Sequence, residues 1–473
     1  MDEGFSLTTV FWAFLIVSML VLVGKRVRAR VGWLQALYLP SSIIAGLIAL
    51  LLGPEVLGRI ARLVGGETGR LADGLLAPSI LAVWSQLPGL LISIVFAALF
   101  IGKQLAPPRQ IWRDAGPMVV HGQIIAWGQY VIGLLLLLLV LRPVWGLNPL
   151  AGALIEISFE GGHGTAAGLA DTFRELGFES GADLALGLAT VGVVAGVLLG
   201  TLLVNWAVRR GHLAPPGETQ LELKEQLAEH EERETVTPEE RASAQMVDSL
   251  SVHLGYIAVA IGIGWVLHRG LMQLEGMTWV RWGGPELMRH IPLFPLAMIG
   301  GVLVQIGLER SGQATHIDRK LINRVSGTSL DLLIVSALAT ISLATLGTYV
   351  GPFVLLALAG ILWNLAAFFV LSPLLFRENW VPYGLANFGQ CMGMTVIGLL
   401  LIRMTDPQNQ TGAMHSFGYK QLLFEPVVGG GLFTAASLPL IAQFGPVPVL
   451  VLTGGVMLGW VIFGYLKFVR QVG

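Results

Sequence analysis

Apolar runs such as VIGLLLLLLVL (131–141) and GPFVLLALAGILWNLAAFFVL (351–371) recur along the chain. A helix needs roughly 20 apolar residues to cross the hydrocarbon core. Several runs reach that length, which makes the chain an all-α, multi-span membrane protein bound to the lipid bilayer. Charge agrees: 12% of the 473 residues are charged and 54% are hydrophobic, against about 25% charged in a typical soluble domain. The net charge of −1 gives nucleic acid nothing to bind, and no nucleic-acid partner is expected. Cys391 is the only cysteine, so the chain has no internal disulfide. Residues 1–24 read as a first span and not as a cleaved leader, because no small-residue cleavage site follows the apolar run.

Window hydropathy predicts spans near 5–24, 38–57, 87–104, 115–142, 180–208, 248–268, 290–308, 326–347, 351–376, 421–443 and 447–468. The long polar stretch at 209–247 reads as a solvated linker. It separates an N-terminal half, 1–208, from a C-terminal half, 248–443. The segment 444–473 has no counterpart in the first half and reads as an extra C-terminal transmembrane helix. Basic residues gather on one side: Lys25 to Arg30 after the first span, Lys103 to Arg113 after the third, Arg209 and Arg210 at the linker, Arg310 to Arg324 after the seventh. Positive residues favour the cytoplasm. The N-terminus is therefore expected outside and the linker inside a bacterial cytoplasmic (inner) membrane.

Two apolar stretches, about 149–172 and 382–404, carry glycine clusters where a span should be continuous. Each glycine weakens a helix by about 1 kcal/mol relative to alanine. A broken backbone in lipid also leaves groups unpaired unless protein or a watery cavity covers them. Both stretches therefore read as re-entrant hairpins. Five spans precede the linker, so the second half enters the membrane from the opposite side. The two halves are expected to be inverted repeats, with a site where the paired broken segments meet.

In FEGGHGTAAG, Gly161, Gly162 and Gly164 let a ligand approach the backbone. A helix restarting at Thr165 would turn its positive end to a carboxylate. The competing reading is a structural glycine kink or close helix packing. Glu160 is a candidate for holding a cation or carrying a proton, unless it lies at the outer surface. His163 can bind a solute carboxylate or shuttle a proton; it can equally satisfy a backbone carbonyl. In NFGQCMGMTVIG, Gly389 and Gly393 supply the flexibility, and Asn387, Gln390 and Thr395 supply neutral donors and acceptors. Cys391 reads as a small filler. Asp331 is a possible ion ligand or a snorkelling acid. The solute set is thus Gly161, Gly162, His163, Gly164, Thr165, Gly389, Gln390, Gly393 and Thr395. The cation or coupling set is Glu160, Asp331 and Asn387.

The stretch SFEGGHGTAAGLADTFRELGFESGADLALGLATVGVVAGVLLG (158–200) resembles the sodium/glutamate symporter family. Gly161, Gly162, His163, Gly164 and Thr165 match its first-hairpin core. Gly177, Phe178 and Glu179 match the turn, and Ala189, Thr190 and Gly192 match the following span. LYLPSSIIAGL, PLFPLAMIGGVLVQIGLER and VSGTSLDLLIVSALATISL look like its second, seventh and eighth spans. The resemblance implies sodium-coupled uptake of glutamate or a related carboxylate or amino acid by alternating access. It also implies a homodimer, no cofactor beyond the sodium ion, and no enzymatic activity. Three departures lie at the implied site. Glu160 stands where the family usually has Ser, GMTVIG (393–398) replaces Gly-Ala-Thr-Pro-Thr-Ala, and Ser41 and Ser42 follow the proline of the second span where an acid is common. The same fold could carry another solute or couple to protons. A channel would use the hairpins as a filter. A membrane enzyme would pair His163 with Glu160, but no nucleophile, metal set or cofactor motif accompanies them, and no ATP-binding loop occurs.

Overall fold

The computed structural model describes residues 6–36, 39–65, 71–103, 107–213, 246–408 and 410–470. The expected linker lies outside the described residues apart from its ends at 209–213 and 246–247. No strand occurs among the described residues. Ten helices among the described residues are long and apolar enough to cross a membrane: Leu7–Arg30, Ser41–Val64, Pro78–Ala97, Arg109–Trp145, Gly181–Arg209, Leu250–Trp282, Leu293–Arg310, Arg319–Ala339, Val350–Phe376 and Pro446–Val469.

Helix ends follow local chemistry. Ser6 caps the first helix, its hydroxyl accepting from the Thr9 N–H at 3.0 Å, and Asp318 caps the eighth through the Lys320 N–H at 2.8 Å. Such caps satisfy donors that the helix leaves free. The eighth helix stops at Ala339, short of the expected 347. Beyond it the Ser342 N–H donates to Asp183 at 3.0 Å, and the Ser342 hydroxyl caps the short helix Leu343–Thr348.

The fourth long helix is the centre of the bundle: 61% of its apolar window is buried, against 17% for the last helix. It packs on the ninth and tenth long helices and on the helix Ala413–Phe424. Small residues let neighbours come close. A Cβ at Gly300 would lie 2.0 Å from the Ala260 carbonyl oxygen, and one at Gly264 2.6 Å from the Ala297 nitrogen. These two glycines hold the sixth and seventh helices together. Gly300→Val should therefore destabilise the fold by about 1–3 kcal/mol, as overpacking does. Thermal unfolding of the purified protein in detergent reads this, and an unchanged midpoint would contradict the contact.

One predicted span is not continuous. The stretch expected to cross at 421–443 consists of Ala413–Phe424 and Leu432–Phe444, separated at Gly429, Gly430 and Gly431. Gly429 and Gly430 take positive φ (71° and 99°), which glycine alone adopts cheaply. The described residues therefore hold a glycine break at 429–431 that was not expected, beside the two that were.

Candidate functional site

The first broken segment runs through a 3₁₀ turn, Pro149–Ala153, and a π-helical turn, Glu156–Glu160. It then restarts as the helix Gly162–Gly168. The restart is three residues earlier than the expected Thr165, because Gly162 (φ 68°) makes the turn. The Asn148 side-chain N–H donates to the Gly177 carbonyl at 3.1 Å, which brings the two ends of the segment together. The second breaks at 391–394, between Trp380–Gln390 and Thr395–Thr405. These two helices pack against each other, with a Cβ at Gly389 only 2.6 Å from the Gly398 nitrogen.

The tips of the two segments touch. A Cβ on Gly162 would fall 2.5 Å from the Gly393 carbonyl oxygen, and Gly393 itself has φ 137°. The fifth long helix lies against both. His163 Nε2 is 3.0 Å from Thr190 Oγ1, and a Cβ on Gly192 would be 2.6 Å from the Met392 carbonyl oxygen. The backbone freed at the second break is covered as lipid requires. The Cys391 carbonyl accepts from Gln129 and from Asn364, each at 3.0 Å.

Around the first tip, buried polar atoms lack partners among the described residues: both Glu160 carboxylate oxygens, Thr165 Oγ1, Ser158 Oγ and His163 Nδ1. The His163 tautomer follows from its neighbour. Thr190 gives its hydroxyl proton to the Leu186 carbonyl (3.0 Å), so His163 Nε2–H donates to Thr190 and Nδ1 is left as an acceptor. Buried polar atoms normally find partners. The Glu160 carboxylate supplies acceptors that suit a cation, and the two hydroxyls can accept from or donate to a polar ligand. Gly429 and Gly430 close over it: a Cβ at Gly430 would lie 2.6 Å from Thr165 Oγ1, and one at Gly429 3.4 Å from Glu160 Cγ.

The expected site residues separate into groups. Gly161, Gly162, His163, Thr165 and Glu160 gather at the first tip, with Gly393 against it. Gly164 packs on Ile92 and Leu330. Thr395 opens the outgoing helix of the second segment and is half-buried. Asn387 and Gln390 are buried, and their amide oxygens accept from Lys420 at 2.8 and 3.0 Å. Asp331 stands among Ser42 and Lys25 on the second and first helices.

Two charged residues were absent from the sequence reading. Lys420 is fully buried. Glu156, also fully buried, accepts from the Tyr130 hydroxyl at 2.5 Å, the Gly429 N–H at 2.9 Å and the Thr434 hydroxyl at 2.8 Å. It ties the first segment to the third glycine break. The sequence signal for Glu156 was a lone charge inside an apolar stretch, which marks a functional candidate by default; Lys420 follows a polar loop and carries no such signal.

Long apolar helices around broken segments whose tips meet inside the bundle are the construction of a membrane transporter. Residues 108–382 match the sodium/glutamate symporter family. The match spans more than half of the chain, and the chain belongs to that family, which is one of transporters and not of enzymes. A search of curated proteins and a search of solved structures each found no match.

Proposed function

We propose that the chain is a secondary active transporter that takes up glutamate or a related small carboxylate with sodium, by alternating access at the meeting point of the two glycine tips. The observation that carries this is the contact of Gly162 with Gly393 beside the unpartnered Glu160, His163 and Thr165. Glu160 and Thr165 are hard oxygen ligands of the kind sodium takes, and a cation held there lowers the cost of admitting an anion into the membrane interior. Sodium is the coupling ion that the family implies.

The same reading covers topology. Five long helices precede residues 214–245, and the second half repeats the order of four long helices and a broken segment, with the short helices Ala413–Phe424 and Leu432–Phe444 in place of a fifth long helix. An odd number of spans in the first half supports inverted repeats. The Asn148 contact with Gly177 supports re-entry of the first segment. The two halves, 1–208 and 248–443, would move a shared site between the two sides, with the last helix as an addition at 444–473. A homodimer, an external N-terminus and a cytoplasmic linker in the bacterial inner membrane complete the proposal.

Uptake of labelled glutamate into proteoliposomes tests it, with an inward sodium gradient compared with equal choline. Saturable, sodium-dependent accumulation is the expected result. Lack of accumulation of glutamate and of a panel of other small carboxylates would overturn it. Glu160→Gln should reduce gradient-driven uptake at least about tenfold, since a charge-assisted bond contributes about 1.5–3 kcal/mol. Wild-type uptake in that variant would remove Glu160 from the coupling site.

A further inference from the structure

Lys420 sits on the helix Ala413–Phe424, which packs against the fourth long helix. Its ammonium donates to Asn387 Oδ1 at 2.8 Å and to Gln390 Oε1 at 3.0 Å. The Phe424 ring centre is 3.8 Å away, presenting the negative face that attracts a cation. An ammonium has three donors; two go to amide oxygens and the ring covers the group.

The two oxygens are held in place. Asn387 Nδ2 lies 2.9 Å from His121 Nδ1, and Gln390 Nε2 donates to Gln421 Oε1 at 3.1 Å. Gln390 Oε1 also accepts from Gln421 Nε2 at 2.8 Å, and in this arrangement each amide presents its oxygen to Lys420. Neutral oxygens aimed at one point, with a ring above it, form a cage for a small monovalent cation. Here the chain's own ammonium fills the cage. Its hydrogen bonds among the described residues go to neutral groups, and the carboxylates of Glu160 and Glu425 lie within its field.

We propose that Lys420 is a tethered cation: at the second break it occupies the place where a mobile coupling ion would otherwise bind, so the solute's charge is partly balanced from within the protein. The proposal rests on the transporter reading and adds that one cation position neither loads nor empties during the cycle. A mobile sodium ion remains free to bind at the Glu160 side.

Lys420→Ala vacates the cage and is the test. Thermal unfolding of the purified full chain is compared in sodium chloride and in choline chloride at equal ionic strength. Sodium should raise the midpoint of Lys420→Ala clearly more than that of the wild type, because an ion that binds only the folded state stabilises it. In proteoliposomes the sodium order of uptake should rise by about one ion in the variant. Equal sodium effects on the two proteins would overturn the proposal. Should Lys420→Ala fail to fold in choline, preparation in sodium chloride or methylammonium chloride is the second measurement. Recovery in either supports a vacated cation cage, and failure in both overturns it. The unfolding assay needs no solute. If the wild type moves no carboxylate, the functional reading falls, and the assay still decides the role of Lys420.

Discussion

Replacing Gly162 with valine should cut solute uptake at least about a hundredfold while the protein still inserts and folds. Gly162 has φ 68°, a conformation that costs a non-glycine residue about 1–3 kcal/mol, and a β-branched side chain tolerates it worst. The obstacle facing a new Cβ is also rigid: the Gly393 carbonyl oxygen would be 2.5 Å away. A flexible side chain would swing aside, but a backbone carbonyl at a second strained glycine moves only if its segment moves. The substitution therefore pushes the two tips apart at the proposed solute site. The bundle outside the tips is untouched, so the protein should still insert and fold, with a detergent stability lowered by about 1–3 kcal/mol. Gly162→Ala should fall between the two. Uptake by proteoliposomes, normalised to inserted protein, reads the effect. Wild-type rates in Gly162→Val would mean that the tip contact has no part in transport.

Glu156→Ala should cause the largest loss of stability of any single change around the site, about 3–5 kcal/mol, the range for breaking a buried charged network. The carboxylate accepts from three groups on three parts of the chain: Tyr130 on the fourth helix, the backbone of Gly429, and Thr434. Removing it leaves all three donors buried without partners, and each unsatisfied donor costs about 1–3 kcal/mol. The Gly429 N–H belongs to a broken backbone that cannot pair with a helix turn, so the third break should loosen first. Glu156→Gln keeps one acceptor oxygen and should lose roughly half as much. Thermal unfolding in detergent compares the three proteins. A midpoint for Glu156→Ala equal to wild type would show that water or a rearranged chain replaces the carboxylate.

The broad architecture was legible in the residues because lipid imposes a simple rule. A span must be about 20 apolar residues, and a glycine cluster within one must be covered by protein. Apolar length located each of the ten long helices, although at the second, third, sixth and eighth an end lies seven or more residues from the expected one, and GGHG and GQCMG marked two breaks. The third break escaped because Gly429 to Gly431 sit in a stretch whose average hydropathy still passes for a span. What licenses that break is Glu156, which lies 273 positions away in sequence. Lys420 escaped for a related reason. It follows a polar loop, TDPQNQTG, so its charge reads as interfacial until the fold places Asn387 and Gln390 around it. Glycine breaks leave a local mark in a sequence; the partners that pay for buried charge do not.

Cys391 offers the most direct measurement of the central claim, that the meeting tips are the solute site. It is the only cysteine in the chain, it is buried, and its carbonyl stands at the second break. A small water-soluble methanethiosulfonate reagent should modify it slowly in proteoliposomes, because the proposed alternating access opens the tips to water, and modification should stop uptake. Saturating glutamate with sodium should slow the reaction at least about tenfold, as an occupied site excludes the reagent. A rate unchanged by every tested carboxylate, or no modification under any condition, would contradict the account.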